Sequence, residues 1–326
     1  MKEINIYAYL YDAGGNDEEV ELKDIELKKL TDKQLLWVNI LKRDEKLIKE
    51  TAAKLQIENV PLKSILRTDE RPKIEQFENF YRIFIASAEV KKSRKFARVP
   101  IDFLVGKNFI VTIHDGDVEY FIGFREREKG ETRIGVLNAE SFLISLLDLH
   151  ILSYFQALEN IADKVDKFDE RILKENLETT DFLLEMVNLR LDVSNLRRWL
   201  TPHRDVFYAL SRPDFLPEDK SGSVENFRLL NQHFDNVMDA IETSRDTVLS
   251  LFDLYAARAA HKLNFIVQRL TFLTLMIGAM GVVAGILGMN FELPFFKNPN
   301  GFWLVILTMG ILSITFTITA RWRRWI

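Results

Sequence analysis

Leu270 to Phe291 reads LTFLTLMIGAMGVVAGILGMNF, 22 residues without a charged side chain. As a helix this stretch covers roughly 33 Å, about the hydrocarbon thickness of a bilayer. A second uncharged stretch, Gly301 to Ala320 (GFWLVILTMGILSITFTITA), has 20 residues and opens on Phe302 and Trp303, placed where an interfacial aromatic belt sits. Nine residues, Glu292 to Asn300, join the two. Lys262 and Arg269 precede the first stretch and Arg321, Arg323 and Arg324 follow the second, whereas the loop holds one Lys and one Glu. Positive charge is retained on the cytoplasmic side, so the sequence predicts a multi-pass protein of the plasma (inner) membrane with two spans, both termini cytoplasmic and the loop outside. Residues 1–10 (MKEINIYAYL) lack the basic and apolar regions of a cleavable signal peptide.

Moving outward, the charge divides sharply. The chain has 326 residues with 44 Lys and Arg against 48 Asp and Glu. Beyond Ala260 the six bases Lys262, Arg269, Lys297, Arg321, Arg323 and Arg324 face the single acid Glu292, a balance of +5 that leaves -9 on the first 260 residues. A near-neutral average therefore conceals an acidic water-soluble body joined to a basic apolar anchor. An acidic body excludes nucleic acid as the expected partner, because phosphate neutralisation needs clustered Lys and Arg. The absence of cysteine excludes disulfides and thiolate sites.

Upstream of the first span, Val224 to Asn264 contains no proline or glycine, and Phe227, Leu230, Phe234, Val237, Ile241, Val248, Leu251 and Leu254 recur at helical spacing. This predicts one long helix, of 64 residues and roughly 96 Å if it runs unbroken to Leu287. Asp239, Asp246 and Asp253 stand seven apart and Asn264 follows eleven later, so all four share a face. That face is either a solvated stripe or, around an oligomer axis, a stack of carboxylate rings that concentrates cations. In the span, Gly278, Gly281, Gly285 and Gly288 follow at 3, 4 and 3, which fits small-residue helix packing or a pore wall. Two spans cannot enclose a polar pathway alone, so transport requires several copies.

The body before the stalk changes period. Residues 4–11, 35–40, 72–77, 81–90, 101–105 and 109–114 are β-branched and aromatic runs separated by turn signals, and predict strands and hairpins. Residues 44–55 and 61–67 have helical composition, 138–174 and 180–210 are helical by period, and 212–223 (RPDFLPEDKSGS) is a break. The acidic segment 12–21 predicts an exposed turn. No phosphate loop, HExxH or GxSxG occurs, so an enzyme is not expected. The five histidines, His114, His150, His203, His233 and His261, lie too far apart in sequence for a local site and are expected as structural or surface residues.

Ala284-Gly285-Ile286-Leu287-Gly288-Met289-Asn290-Phe291-Glu292 resembles the AGI-x-GMNFE signature of the CorA divalent-cation channel family. It lies at the outer end of the first of two C-terminal spans, after a long helix. Asn264 and Leu270-Thr271 fall at the family's spacing upstream. Arg71-Pro72-Lys73-Ile74-Glu75, Gly106-Lys107-Asn108-Phe109, Val111-Thr112-Ile113-His114 and Leu254-Tyr255 look like family landmarks in the body. The resemblance implies an α/β cytoplasmic domain with an α-helical arm, a long stalk helix and two C-terminal transmembrane helices, assembled as a pentameric funnel. It also implies a selectivity filter of Gly288, Met289 and Asn290, with Asn290 holding the hydrated ion. Asn264 becomes an inner polar ring and Leu270 an apolar constriction, with Val267, Thr271, Thr274, Gly278, Gly281 and Gly285 lining the pore, Glu292 in the outer loop, and Asp239, Asp246 and Asp253 in an acidic vestibule. No motif assigns the regulatory acids.

The organisation expected is an α/β domain (1–130), a helical arm (131–223), stalk and first span (224–291), loop (292–300), second span (301–320) and basic tail (321–326). The function implied is channel-like Mg²⁺ influx, with Co²⁺ and Ni²⁺ also passing, through a homopentamer whose partners are itself, the lipid bilayer and divalent cations, and with no cofactor beyond the transported ion. Leu287 stands where the family commonly has Tyr, and the loop continues Leu293-Pro294-Phe295-Phe296-Lys297 without a second acid. These departures keep two alternatives open: a proton-coupled Zn²⁺ transporter of the ZntB-like branch, and a non-conducting membrane-tethered metal sensor.

Overall fold

The computed structural model describes the chain apart from residues 1–4, 13–16, 26–29, 32, 91–95, 117, 128–137, 175–179, 213, 216–222, 290–299 and 323–326. The chain divides into two compact units, Met1–Arg171 with Leu177–Ser250, and Ile172–Asn176 with Leu251–Ile326.

The first unit is built on a seven-stranded sheet. Its strands are β1 (Ile6–Asp12), β2 (Glu18–Glu19), β3 (Gln34–Ile40), β4 (Lys73–Gln76), β5 (Tyr81–Val90), β6 (Phe96–Val105) and β7 (Phe109–Ile113), in the order β2-β1-β3-β7-β6-β5-β4. Every neighbouring pair is antiparallel except β3–β7. Alternation along β3 sends its residues to two cores. Leu36, Val38 and Ile40 join Ile48, Ala52, Leu55 and Ile65, brought by α1 (Glu45–Lys54), the turn after it, and α2 (Leu62–Ile65). Trp37 points the other way, with its ring centroid 5.7 Å from both Phe121 of α3 (Glu119–Arg127) and Phe142 of α4 (Ala139–Lys174). Its indole N–H donates to Thr112 Oγ1 at 3.0 Å, so the buried ring leaves no polar atom unmet.

The predicted hairpins form: β4 and β5 turn at Glu78-Asn79, and β6 and β7 turn at Gly106 to Asn108. Gly106 is required there, since a Cβ would lie 2.2 Å from the Phe109 ring. One expectation needs correction, and one helix went unread. Segment 12–21 is not simply a turn, for β2 pairs with β1 and Val20 N–H donates to Ala8 O at 2.9 Å; the exposed side chains of Glu18 and Glu19 gave it the composition of a turn. Helix α3 carries Gly123 mid-helix and only weak amphipathicity, so its period gave no signal.

A buried ion cluster ties β4, β5 and β6 to the start of α1. Asp102, fully buried on β6, accepts from Arg82 Nε at 2.6 Å and from Arg43 Nη1 at 2.5 Å. Arg82 also reaches Glu75 at 2.7 Å and Glu70 at 3.0 Å, and Arg43 Nη2 donates to Pro100 O at 2.9 Å. Each buried charge has partners of opposite sign, the condition under which such charges persist in an interior.

The helical part of this unit comprises α4, α5 (Thr180–Leu200), α6 (Arg204–Leu210) and the first part of α7 (Ser223–Leu287). Three helices, α4, α7 and α8 (Gly301–Trp322), are long and apolar enough to cross a membrane. More than half of the apolar window of α4 is buried inside the unit, against almost none in α7 and α8, so α4 is a core helix. The histidines did not stay apart. The rings of His150 on α4 and His203, in the short turn Thr201–His203, meet in the core 5.1 Å apart. Sequence distance gave no warning, because α5 returns the chain antiparallel to α4.

His203 Nε2 accepts from the Ala86 N–H at 2.9 Å while Nδ1 faces Leu200 O at 3.1 Å, which fixes the neutral tautomer with hydrogen on Nδ1. Burial pushes His203 down to about 4, and burial with the neighbouring His203 pushes His150 well below its usual range. Unfolded histidines take up protons near pH 6.5 that the folded pair refuses, so stability falls as pH drops from about 6.5 towards 4, by at most about 1.4 kcal/mol per pH unit for each histidine. Unfolding of the detergent-solubilised chain followed across that range checks this. His203→Gln keeps an acceptor for Ala86 and a donor for Leu200, and is expected to flatten the acid slope.

Candidate ion pathway

The second unit contains α7 from Leu251 onward and α8. α8 covers one side of α7. Ser313 Oγ donates to Met276 Sδ at 3.7 Å, and the shielded residues of α7 are in phase with that contact: Phe272 is buried and Met276, Ala279, Met280, Val283 and Leu287 are half-buried. At about 100° per residue these six occupy an arc of roughly 100°.

The residues expected to line a pore occupy the opposite arc. Asn264, Val267, Leu270, Thr271, Thr274, Gly278, Gly281, Gly285 and Gly288 are all exposed, and they fall within roughly 120° centred about half a turn from the α8 face. Leu270, 61% exposed, lies at the edge of that arc. The other eight succeed one another at alternating intervals of three and four, an unbroken heptad seam from Asn264 to Gly288. Side-chain volume falls along it, from amide and valine through two threonines to four glycines.

Local chemistry supports the seam. Thr274 Oγ1 donates to Leu270 O at 2.9 Å, which commits its hydrogen and leaves its lone pairs facing outward. A Cβ on Gly278, Gly281 or Gly285 meets nothing within 4 Å, so packing of α8 does not explain these glycines. Gly288 differs: its N–H donates to Ala284 O at 2.9 Å as the helix ends, and a Cβ there would sit 3.2 Å from that same oxygen. Met289, exposed, follows the last turn. Asn290 and Glu292 lie outside the described residues.

Asp239 and Asp246 are exposed on the first unit's part of α7, on the side away from the buried Phe234, Val237, Ile241 and Val248. Arg245 Nη1 lies 3.7 Å from Asp246 Oδ1. Asp253 is exposed in the second unit. Sequence reasoning missed Phe265, whose ring lies 4.2 Å beneath the Arg269 guanidinium just before the uncharged stretch. The i, i+4 aromatic–arginine spacing was the available signal.

A sheet-bearing acidic unit, a helix of 65 residues ending in a glycine-bearing apolar stretch, and a second apolar helix make the architecture of a membrane protein, since both helices are long and apolar enough to cross a bilayer. The chain belongs to the family described as CorA-like Mg2+ transporter protein, whose model matches residues 32–320. It is similar to the cobalt/magnesium transport protein CorA of Thermotoga maritima, 27% identical over 89% of this chain and 83% of that protein. It is also similar to the protein of the same name from Methanocaldococcus jannaschii, 26% identical over 96% of this chain and 97% of the relative. The solved complete structure of the M. jannaschii CorA magnesium transporter superposes with a TM-score of 0.77 at 24% identity, covering 100% of both chains. The chain is thus a divalent-cation transporter of the CorA family and not an enzyme.

The open glycine arc yields a direct test. Gly281→Leu is expected to leave the helical content of the solubilised chain unchanged while lowering divalent-cation flux in reconstituted vesicles. Flux equal to wild type would place this arc against lipid.

Proposed function

We propose that the chain assembles as a homopentamer in the plasma (inner) membrane and conducts Mg²⁺ inward, with Co²⁺ and Ni²⁺ as further permeant ions. The observation that carries this reading is the heptad seam of small and polar residues on the arc that α8 leaves open. Five such seams around an axis form a pathway that two helices cannot form alone. On this reading residues 1–130 and 131–223 are the cytoplasmic domain and its helical arm, 224–291 is stalk and pore helix, 292–300 the outer loop, 301–320 the lipid-facing second span and 321–326 a cytoplasmic tail.

The filter is Gly288, Met289 and Asn290. Mg²⁺ keeps its water shell tightly and demands near-octahedral geometry, so full dehydration is costly. A ring of five Asn290 carbonyls hydrogen-bonds the ion's waters and passes it hydrated. Neutral amides bind weakly enough to release it, as conduction requires. Glu292 and Lys297 nearly cancel at the outer mouth, leaving cation collection to the inner acids. Leu270 forms the apolar constriction, Asn264 the inner polar ring, and Asp239, Asp246 and Asp253 the vestibule. Membrane potential drives entry with about 2.3 kcal/mol per elementary charge per 100 mV.

Vesicle flux with Mg²⁺, Zn²⁺, Co²⁺ and Ni²⁺ on one preparation tests the proposal. Mg²⁺ flux is expected, abolished by Asn290→Ala while the oligomer survives on size exclusion. Undiminished Mg²⁺ flux in that variant removes the filter assignment, and Zn²⁺ flux that follows a proton gradient in place of Mg²⁺ flux selects the ZntB-like alternative. The vestibule is tested separately: Asp246→Asn with Asp253→Asn is expected to reduce conductance at low salt, whereas an unchanged conductance would put the stripe in bulk solvent.

A further inference from the structure

Glu89, the penultimate residue of β5, is a carboxylate in an unfavourable place. Its neighbour across the ladder is Ala97 of β6, which offers no charge. It lies by the first residue of α3, where the Glu119 backbone N–H favours its anion and the Glu119 carboxylate opposes it. Its Oε1 is shielded from water and has no hydrogen-bond partner. An anionic oxygen in that position has lost its hydration without gaining a donor.

Among the described residues, the other groups around it bring no positive charge. Tyr120 of α3 donates or accepts with Ser87 Oγ of β5 at 2.9 Å, and Ser87 Oγ lies 2.7 Å from His150 Nδ1 of α4. Burial holds the Tyr120 phenol protonated, and burial together with His203 holds His150 neutral. Arg98 of β6 is committed elsewhere, to Thr68 O and Glu70 O. Lys91, Lys92, Arg94 and Lys95, which follow β5, lie outside the described residues. The positive end of α3 favours the anion, but burial and Glu119 outweigh it and push Glu89 up to about 7.

We propose that Glu89 is a proton-operated latch between β5 and α3: protonated, it lets α3 seat on the end of the strand; ionised, it sets two carboxylates against each other and loosens that helix. The sheet-bearing unit then responds to pH near neutrality, independently of which ion is carried. The folded chain holds this proton up to about pH 7, whereas an unfolded glutamate releases it near 4.5. Stability from this group is therefore complete below 4.5 and is lost as pH rises through 7. The His150–His203 pair acts in the opposite sense and at lower pH.

The experiment is thermal unfolding of the full chain in detergent at pH 5.5 and pH 8, with hydrogen exchange of residues 119–127 corrected for the intrinsic pH dependence of exchange. Glu89→Gln is expected to melt a few degrees above wild type at pH 8 and close to wild type at pH 5.5. Glu119→Gln is expected to give a smaller gain at pH 8. Wild-type protection of α3 should fall between pH 6 and pH 8, and Glu89→Gln should hold it. Parallel melting profiles for wild type and Glu89→Gln overturn the latch. If Glu89→Gln does not fold, exchange in the wild type decides, and constant α3 protection from pH 6 to pH 8 sinks the idea.

Discussion

The second unit depends on one constraint: α8 covers a single side of α7. In hydrocarbon a helix meets its own backbone hydrogen bonds, so both helices are stable as spans without further partners. Side chains are another matter. Phe272, Met276, Val283 and Leu287 fill the covered side, and the opposite side presents an amide, two threonines and four glycines to whatever surrounds it. Lipid gains little from such a surface, while close contact with identical helices gains dispersion and shields the hydroxyls. The intervals of three and four also matter mechanically. A strict seven-residue repeat drifts about 20° per heptad on a straight helix, so helices that keep such a seam in contact wind around one another with a left-handed supercoil.

How much of this was legible in the sequence follows from what each signal measures. The two apolar runs were legible because span length and charge exclusion are properties of composition. The sheet was legible in its hairpins, where Gly106 and Glu78-Asn79 are local turn signals, but not in its β3–β7 parallel pairing, which joins strands about 70 residues apart. Strand β2 hid behind exposed acids and α3 behind Gly123. The His150–His203 contact was invisible because it depends on how α4, α5 and the turn at Thr201–His203 fold back, and no residue in either neighbourhood encodes the other. On the pathway, spacing placed Asn264 with the aspartates and the glycines with one another, and the family resemblance added Thr271 and Thr274, but only the position of α8 tells which face of the helix is left open.

The two units solve opposite solvation problems with the same residue types. In the first unit, charge is brought inside and neutralised in place: Asp102 lies between Arg43 and Arg82, and Glu70 and Glu75 complete the set around Arg82. Removing one member leaves a buried charge unpaired, which makes the cluster a structural commitment. Glu89 differs from that cluster, a shielded carboxylate that faces another acid. In the second unit charge is excluded from residues 270–287 of α7 and 301–320 of α8, and the side-chain hydroxyls there are Thr271 and Thr274 on the seam and Thr308, Ser313, Thr315, Thr317 and Thr319 on α8.

The register of that seam reaches further than the apolar stretch. Val267, Thr274, Gly281 and Gly288 are seven apart, and the same count carried backward passes through Ala260 to Asp253, Asp246 and Asp239. One heptad position of α7 therefore runs from carboxylates through two apolar residues and a hydroxyl to glycine. On the proposed reading this order is what a divalent ion requires. Strong fields belong where the passage is wide and the ion keeps its water, and neutral, small groups belong where it is narrow and a carboxylate ring would trap the ion. On that reading a lone acid at Gly281 or Thr274 would raise affinity between the constriction and the filter and slow exit, and glycine in place of Asp246 would weaken collection at the inner mouth. On that reading the gradient of residue type along a single register, more than any one residue in it, is what turns a long helix into a path for a hydrated cation.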